Sequence, residues 1–458
     1  MVTEVAPLLA FPSDLPSGVR RAIVPAGFIA GGIACGIKSS GRPDLAIVAA
    51  LEGPLAAAAV YTSNRVLAAP VRTTQAHLAA TEPAGGGGYG WTRAVISTSG
   101  CANAATGSAG EADQLEVAGL VATAIGVRVE EILTMSTGVI GTRLPLERVA
   151  TGIVGLAGVL GSDETDLVAA AEALRTTDSV AKMSSVTIDL PASDPATTVQ
   201  VRVTGIAKGV GMIHPQMATM LAVLLTDATV DPATLHGILR AAAAGTWDQL
   251  SVDGDTSTND TVILLASGAA GAAPAAPGSA AADALSAAVT AVARDLARQQ
   301  AADGEGATTL ITCQVSAARD DADARAVARA VISSSLVKTA IHGRDPNWGR
   351  IVAAAGNARL PSAAVLEAAG LSRDEAGARE GSAATVDPDL LRVAIGSHAV
   401  FDGPSGGPLV FDRAAVRSAM DRTELLVRLD LGLGAGRGEA FGCDLSEAYV
   451  LENSEYTT

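Results

Sequence analysis

The stretch that most constrains this chain is KGVGMIHPQMATML, Lys208 to Leu221. Before it, residues 186–190 and 198–204 form two β-rich runs that read as a hairpin delivering the chain to Lys208. After it, residues 221–225 are uninterrupted apolar residues and read as a buried strand. A segment with two glycines and a proline is thus placed between sheet strands. Its Thr219 lies between small and apolar residues. By itself that is a strand threonine bonded to a neighbouring carbonyl, and short motifs often match by chance.

The 458 residues exceed one small core, so two or more lobes are expected. Hydrophobic residues make up 48% but aromatics only 3%, and Ala and Gly dominate; small aliphatic side chains must build the core. The 32 basic and 48 acidic residues leave −16, which argues against phosphate-backbone binding and for no nucleic-acid partner. Cys35, Cys101, Cys313 and Cys443 lie far apart without a CxxC pair and read as buried thiols of a reducing cytoplasm. The first residues carry no signal-peptide pattern, and no apolar run is long enough to span a membrane. No HExxH or Cys/His cluster occurs, so no metal is expected.

In chain order, residues 1–20 are Pro-rich and read as a loose arm. Gly31 and Gly32 lack the GxxxxGK[ST] pattern and read as strand and turn glycines. Residues 95–96 start a strand that runs into STSGCANAATG. A helix follows at 111–125, with Leu115, Val117, Leu120 and Val121 on one side. Residues 135–142 read MSTGVIGT, and 167–174 are an Ala-rich helix leading into Arg175-Thr176-Thr177-Asp178. Asp231 and Pro232 read as N-cap and first residue of a helix. Residues 251–268, SVDGDTSTNDTVILLASG, fail the EF-hand pattern and read as a polar loop entering a strand. Residues 269–287 read as an Ala/Gly-rich insertion, 288–300 as a helix and 321–337 as one helix. Asp345-Pro346-Asn347 is a tight turn with Trp348 as a packing anchor. Residues 370–385 read as a loop, and 425–431 and 449–451 as the last strands.

Five strings occur in one order: the STG turn, KGVGMIHPQMATML, VDGDTSTNDT, DGEGAT and DPNWGR. Together they resemble the ornithine acetyltransferase family (glutamate N-acetyltransferase of arginine biosynthesis), over about residues 24–458. The resemblance implies an α+β fold of mixed β-sheets packed against helices, with a larger N-terminal lobe and a smaller C-terminal α/β lobe at about 310–445. It implies self-cleavage between Ala218 and Thr219 into chains 1–218 and 219–458, assembled as α2β2. Thr219 would be the nucleophile. Its freed α-amine, with an ordinary pKa of roughly 7.7–8.0, would be the base. Thr137 and Gly138 would form the oxyanion hole. Thr177, Lys208, Thr219, Glu305, Asn453 and Thr458 would hold substrate, Lys208 suiting a carboxylate and Glu305 an amino group. No base role falls on His214.

The implied reaction is ping-pong acetyl transfer from N2-acetyl-L-ornithine to L-glutamate in the cytoplasm, without a cofactor. Acetyl-CoA remains open as a co-substrate. The sequence departs from the family at Thr98 and Cys101, where Asn is more usual, and at Thr309, where Lys is usual. The other readings are an N-terminal-Thr amidase or aminopeptidase of the same superfamily, in which water replaces glutamate, and an uncleaved paralogue that binds metabolites without turnover.

Overall fold

The computed structural model describes residues 15–194, 196–214 and 220–454. Ala218, Thr219 and Thr458 lie outside the described residues. Among the described residues the strands form three sheets. The first has four strands in the order Phe28–Ile33, Leu45–Ala50, Ala94–Cys101, Ile132–Val139. The second has six, in the order Tyr89–Thr92, Leu55–Tyr61, Thr261–Ala266, Leu221–Thr226, Thr198–Lys208, Lys182–Pro191.

These two sheets pack face to face. Val48, Leu133 and Met135 from the first meet Ile206, Val223 and Leu265 from the second in one core. Helices Gly107–Ile125 and Leu146–Ala157 cover the outer face of the first sheet. Helices Pro232–Gly245 and Ala280–Ala302 cover that of the second. A strand buried on both faces needs apolar residues throughout, and every residue of Leu45–Ala50, Leu221–Thr226 and Thr261–Ala266 is buried. The strand LAAAAVY shows the use of small side chains: Ala57 and Ala59 face the inter-sheet core, Ala56 and Ala58 the helix layer.

The third sheet has seven strands. Six of them belong to residues 310–443, and Leu250–Ser251 pairs in parallel with Gly436–Cys443 at one edge. Its core of Val327, Val331, Val393, Val427 and their neighbours is separate from the other two. The chain is therefore α+β, with mixed sheets packed against helices in two lobes. No helix among the described residues is long and apolar enough to cross a membrane.

Several expectations are corrected. Of the arm, Val19 bridges to Ser185 and Arg20 pairs with Asp295 at 3.1 Å, so residues 19–20 are docked. Leu115 is exposed, because helix Gly107–Ile125 turns Val117 and Val121 inward instead. The Ala-rich insertion already becomes helix at Ala280, behind an N-cap at Ser279, as alanine's helix propensity favours. The helix expected over 321–337 breaks where Ser334 caps a second one, Ser335–His342. Residues 373–379 form a short helix capped by Ser372 and Glu375. Residues 449–451 lie in helix Glu447–Ser454 rather than in a strand.

Candidate active site

The strand Thr198–Lys208 ends at the mouth of a cavity of about 360 Å³. Thr137, Gly138, Thr177, Lys208, Glu305 and Asn453 all line it. These residues come from five separate segments, and the fold brings them to one place.

One wall is the end of strand Ile132–Val139. Gly138 has φ +129°, and a Cβ there would lie 2.3 Å from the Gly100 carbonyl carbon. Only glycine fits, because its strand runs against a register irregularity of Ala94–Cys101. The buried Asn259 fixes the same corner: its amide donates to Ala102 O at 2.6 Å and to Ser136 O at 2.9 Å. Thr98 and Cys101 lie behind this wall. Thr98 Oγ1 is 2.8 Å from Ser136 Oγ, and Cys101 Sγ is 3.2 Å from Thr142 O.

The Lys208 ammonium donates to Thr137 Oγ1 at 3.2 Å. With an oxygen lone pair of the hydroxyl engaged, its proton is left to be donated into the cavity. Lys208 is buried, and burial pushes its pKa down against the upward pull of Asp178, Asp260 and Glu305.

The other wall is Glu305, held from two sides. Thr177 Oγ1 donates to Oε1 at 2.9 Å and Asn453 Nδ2 to Oε2 at 2.9 Å. A Cβ at position 211 would lie 2.2 Å from Oε2, so Gly211 is what lets the carboxylate sit there.

Beneath this wall is a buried ion cluster that the sequence reading did not assign. Lys182 Nζ is 2.7 Å from Asp178 Oδ1 and 2.6 Å from Asp303 Oδ2. Asp178 also accepts from Gly209 N at 2.7 Å and from Thr176 N at 3.0 Å. The cluster thus ties together the segments that carry Thr177, Lys208 and Glu305. Burial opposes the charge on Asp178, but Lys182 and Lys208 outweigh it and hold the carboxyl well below the usual aspartate range. Asp303 lies in the matched DGEGAT string and Asp178 directly follows Thr177, which was the available signal; Lys182, at the head of a strand, gave none.

The acidic string at 251–268 also finds its use. Asp253 accepts from Met212 N, and from Ile213 N at 2.8 Å. Asp260 accepts from Met220 N at 2.8 Å. The string therefore holds backbone amides on both sides of residues 215–219. Burial raises Asp260 well above the usual carboxylate range. His214 lies outside this cavity, with Nδ1 3.3 Å from Ser251 Oγ. Thr309 also points elsewhere, its hydroxyl donating to Arg422 O at 3.1 Å.

The ArgJ family model matches residues 29–458. The arginine biosynthesis bifunctional protein ArgJ of Synechococcus sp. is 43% identical over 434 residues, covering 95% of this chain and 96% of that protein. The protein of the same description from Gloeobacter violaceus is 44% identical, covering 94% and 96%. Among solved structures, an ornithine acetyltransferase complexed with ornithine from Mycobacterium tuberculosis is 38% identical over 43% of this chain and 97% of that chain, with a TM-score of 0.37.

Proposed function

The chain belongs to the ArgJ family of arginine-biosynthesis enzymes, and from that premise we propose that it moves acetyl from N2-acetyl-L-ornithine to L-glutamate through an acetyl ester on Thr219. The observation that carries the reading is the charge arrangement of the cavity. Glu305 lines the cavity as a carboxylate fixed from two sides, and the buried Lys208 amine lines the same cavity. An amino acid offers its ammonium to Glu305 and its carboxylate to Lys208.

The precursor cleaves itself between Ala218 and Thr219, giving chains 1–218 and 219–458 that assemble as α2β2. The freed α-amine of Thr219 takes the proton of its own hydroxyl, and Oγ attacks the acetyl carbonyl. Thr137 Oγ1–H and the Gly138 N–H stabilise the oxyanion. Ornithine leaves, and the glutamate amine takes the acetyl group. Thr177, Asn453 and Thr458 complete the substrate contacts.

Denaturing mass spectrometry of the wild type beside Thr219→Ala tests the first step. The expected result is two wild-type fragments meeting at Ala218-Thr219, and an intact variant. An intact wild type after maturation overturns the nucleophile assignment. Processed enzyme given N-acetylornithine without glutamate should then release about one acetyl equivalent onto the Thr219 chain; continuous acetate release would favour the hydrolase.

A further inference from the structure

On the C-terminal lobe lies a second cavity, of about 730 Å³, whose lining includes three guanidinium groups, Arg329, Arg350 and Arg359, and no carboxylate among the described residues. This is unexpected in a chain with a net charge of −16. Arg329 comes from helix Asp321–Ser333 and Arg350 from helix Trp348–Gly356, while Arg359 follows that helix. The first turns of two helices, Ser335–His342 and Trp348–Gly356, also open on the cavity, adding their positive ends.

Two of the lining donors are buried without a hydrogen-bond partner among the described residues, Arg329 Nη1 and Ser333 Oγ. A buried donor left unpaired is costly, so small side-chain shifts that bring Arg329 Nη1 and Ser333 Oγ to a ligand oxygen are favoured. Asp248 is the acid whose field reaches Arg329. Arg350 Nη1 donates to Leu336 O at 2.8 Å and to Thr339 Oγ1 at 3.3 Å, Arg359 Nη1 donates to Gly381 O at 3.2 Å, and the Nε and Nη2 groups of both are left for other acceptors. Burial, with Arg329 as the next cause, pushes the pKa of His214 down at the edge of the same cavity.

We propose that this cavity is a binding site for a phosphate-bearing anion of nucleotide size, held by Arg329, Arg350 and Arg359 over two helix N-termini. The volume falls within the roughly 300–1,000 Å³ of small-molecule sites and far exceeds one inorganic phosphate. Guanidinium forks match phosphate oxygens in pairs, and three of them suit a ligand with more than one negative charge. The site gives a role to the DPNWGR string, whose Asn347, Gly349 and Arg350 line it, and which the acetyl-transfer reading leaves unused. It also adjoins the catalytic region. Met212 lines the first cavity and His214 the second, so a ligand here touches the chain two residues from the active-site wall.

Isothermal titration of the full-length processed protein with pyrophosphate, ADP and succinate tests the proposal, alongside Arg329→Gln, Arg350→Gln and Arg359→Gln. Pyrophosphate and ADP should bind, each arginine variant should weaken them about tenfold or more, and raised salt should weaken them further. Tighter binding of ADP assigns the whole cavity to a nucleotide, and equal binding assigns the phosphates alone; both support the site. Arg359 is exposed and bonds one carbonyl, so its variant decides the matter even if Arg329→Gln fails to fold. No binding of either phosphate probe, equal binding of succinate, or binding unchanged in both Arg350→Gln and Arg359→Gln overturns the proposal.

Discussion

The two walls of the central cavity are held in place by different physics. The Thr137–Gly138 wall is neutral: a glycine no other residue can replace, and the Asn259 amide across two strand ends. The Lys208–Glu305 wall stands on buried charge, with Lys182 between Asp178 and Asp303. Neutral hydrogen bonds contribute modestly and are insensitive to pH and salt. A buried ion cluster is different: it is held only while every charge keeps its partner. Damage to the first wall should appear in rate, and damage to the second in stability, binding and pH dependence.

The largest effect expected is in the charged wall. Lys182→Met keeps the length of the side chain and leaves Asp178 and Asp303 without their shared cation. Removing one partner of a buried pair typically destabilises by about 3–5 kcal/mol. Urea unfolding should show a loss of that size. A loss below about 1 kcal/mol would mean that the cluster relaxes or takes up water, and the contrast between the walls would fail.

The neutral wall should respond the other way. Thr137→Ala removes one donor to the oxyanion, and removal of such a donor typically lowers kcat by about 10²–10³. The unfolding midpoint should fall by less than in Lys182→Met, since only the hydrogen bond from the Lys208 ammonium to Thr137 Oγ1 is lost. Steady-state rates of the processed variant, with N-acetylornithine and glutamate, give the measurement. A fall in kcat below threefold would remove Thr137 from the oxyanion hole.

What the sequence disclosed follows the same division. Thr137, Gly138, Thr177, Lys208, Glu305 and Asn453 could be named because each sits in a short distinctive string, and the fold gathers them at one cavity. The supporting residues were harder to see. Lys182 looks like any lysine at the head of a strand, and nothing local shows that it is buried against Asp303, 121 residues further along the chain. Buried strands of the central sheets were legible, since apolar residues throughout leave few alternatives. The C-terminal segments were less so: residues 449–451 suit a strand by propensity but lie in helix Glu447–Ser454, where Asn453 reaches Glu305. Alanine-rich residues 280–287 lack any amphipathic signal, and their low complexity hid a helix.

The smallest effect gives the sharpest test, because it separates binding from stability within one wall. Burial lowers the Lys208 pKa below the ordinary lysine value of about 10.4, and Asp178 is the strongest influence pulling it back up. If charged Lys208 holds a substrate carboxylate, KM should rise as pH climbs through that lowered value. Asp178→Asn removes the opposing carboxylate, so the rise in KM should begin at a lower pH. The stability effect of the same change has a different pH dependence. The folded-state pKa of Asp178 is depressed, so its contribution is fully present above about pH 3.9 and is lost only as pH falls toward the depressed value. Above about pH 3.9 the loss of the Asp178 carboxylate itself therefore costs a constant amount, and any further pH dependence of the stability difference tracks the same Lys208 titration as the KM limb. A KM that shifts equally at every pH would mean that Asp178 acts through shape alone, by releasing Gly209 and Thr176, and that the charge on Lys208 is not what the substrate reads.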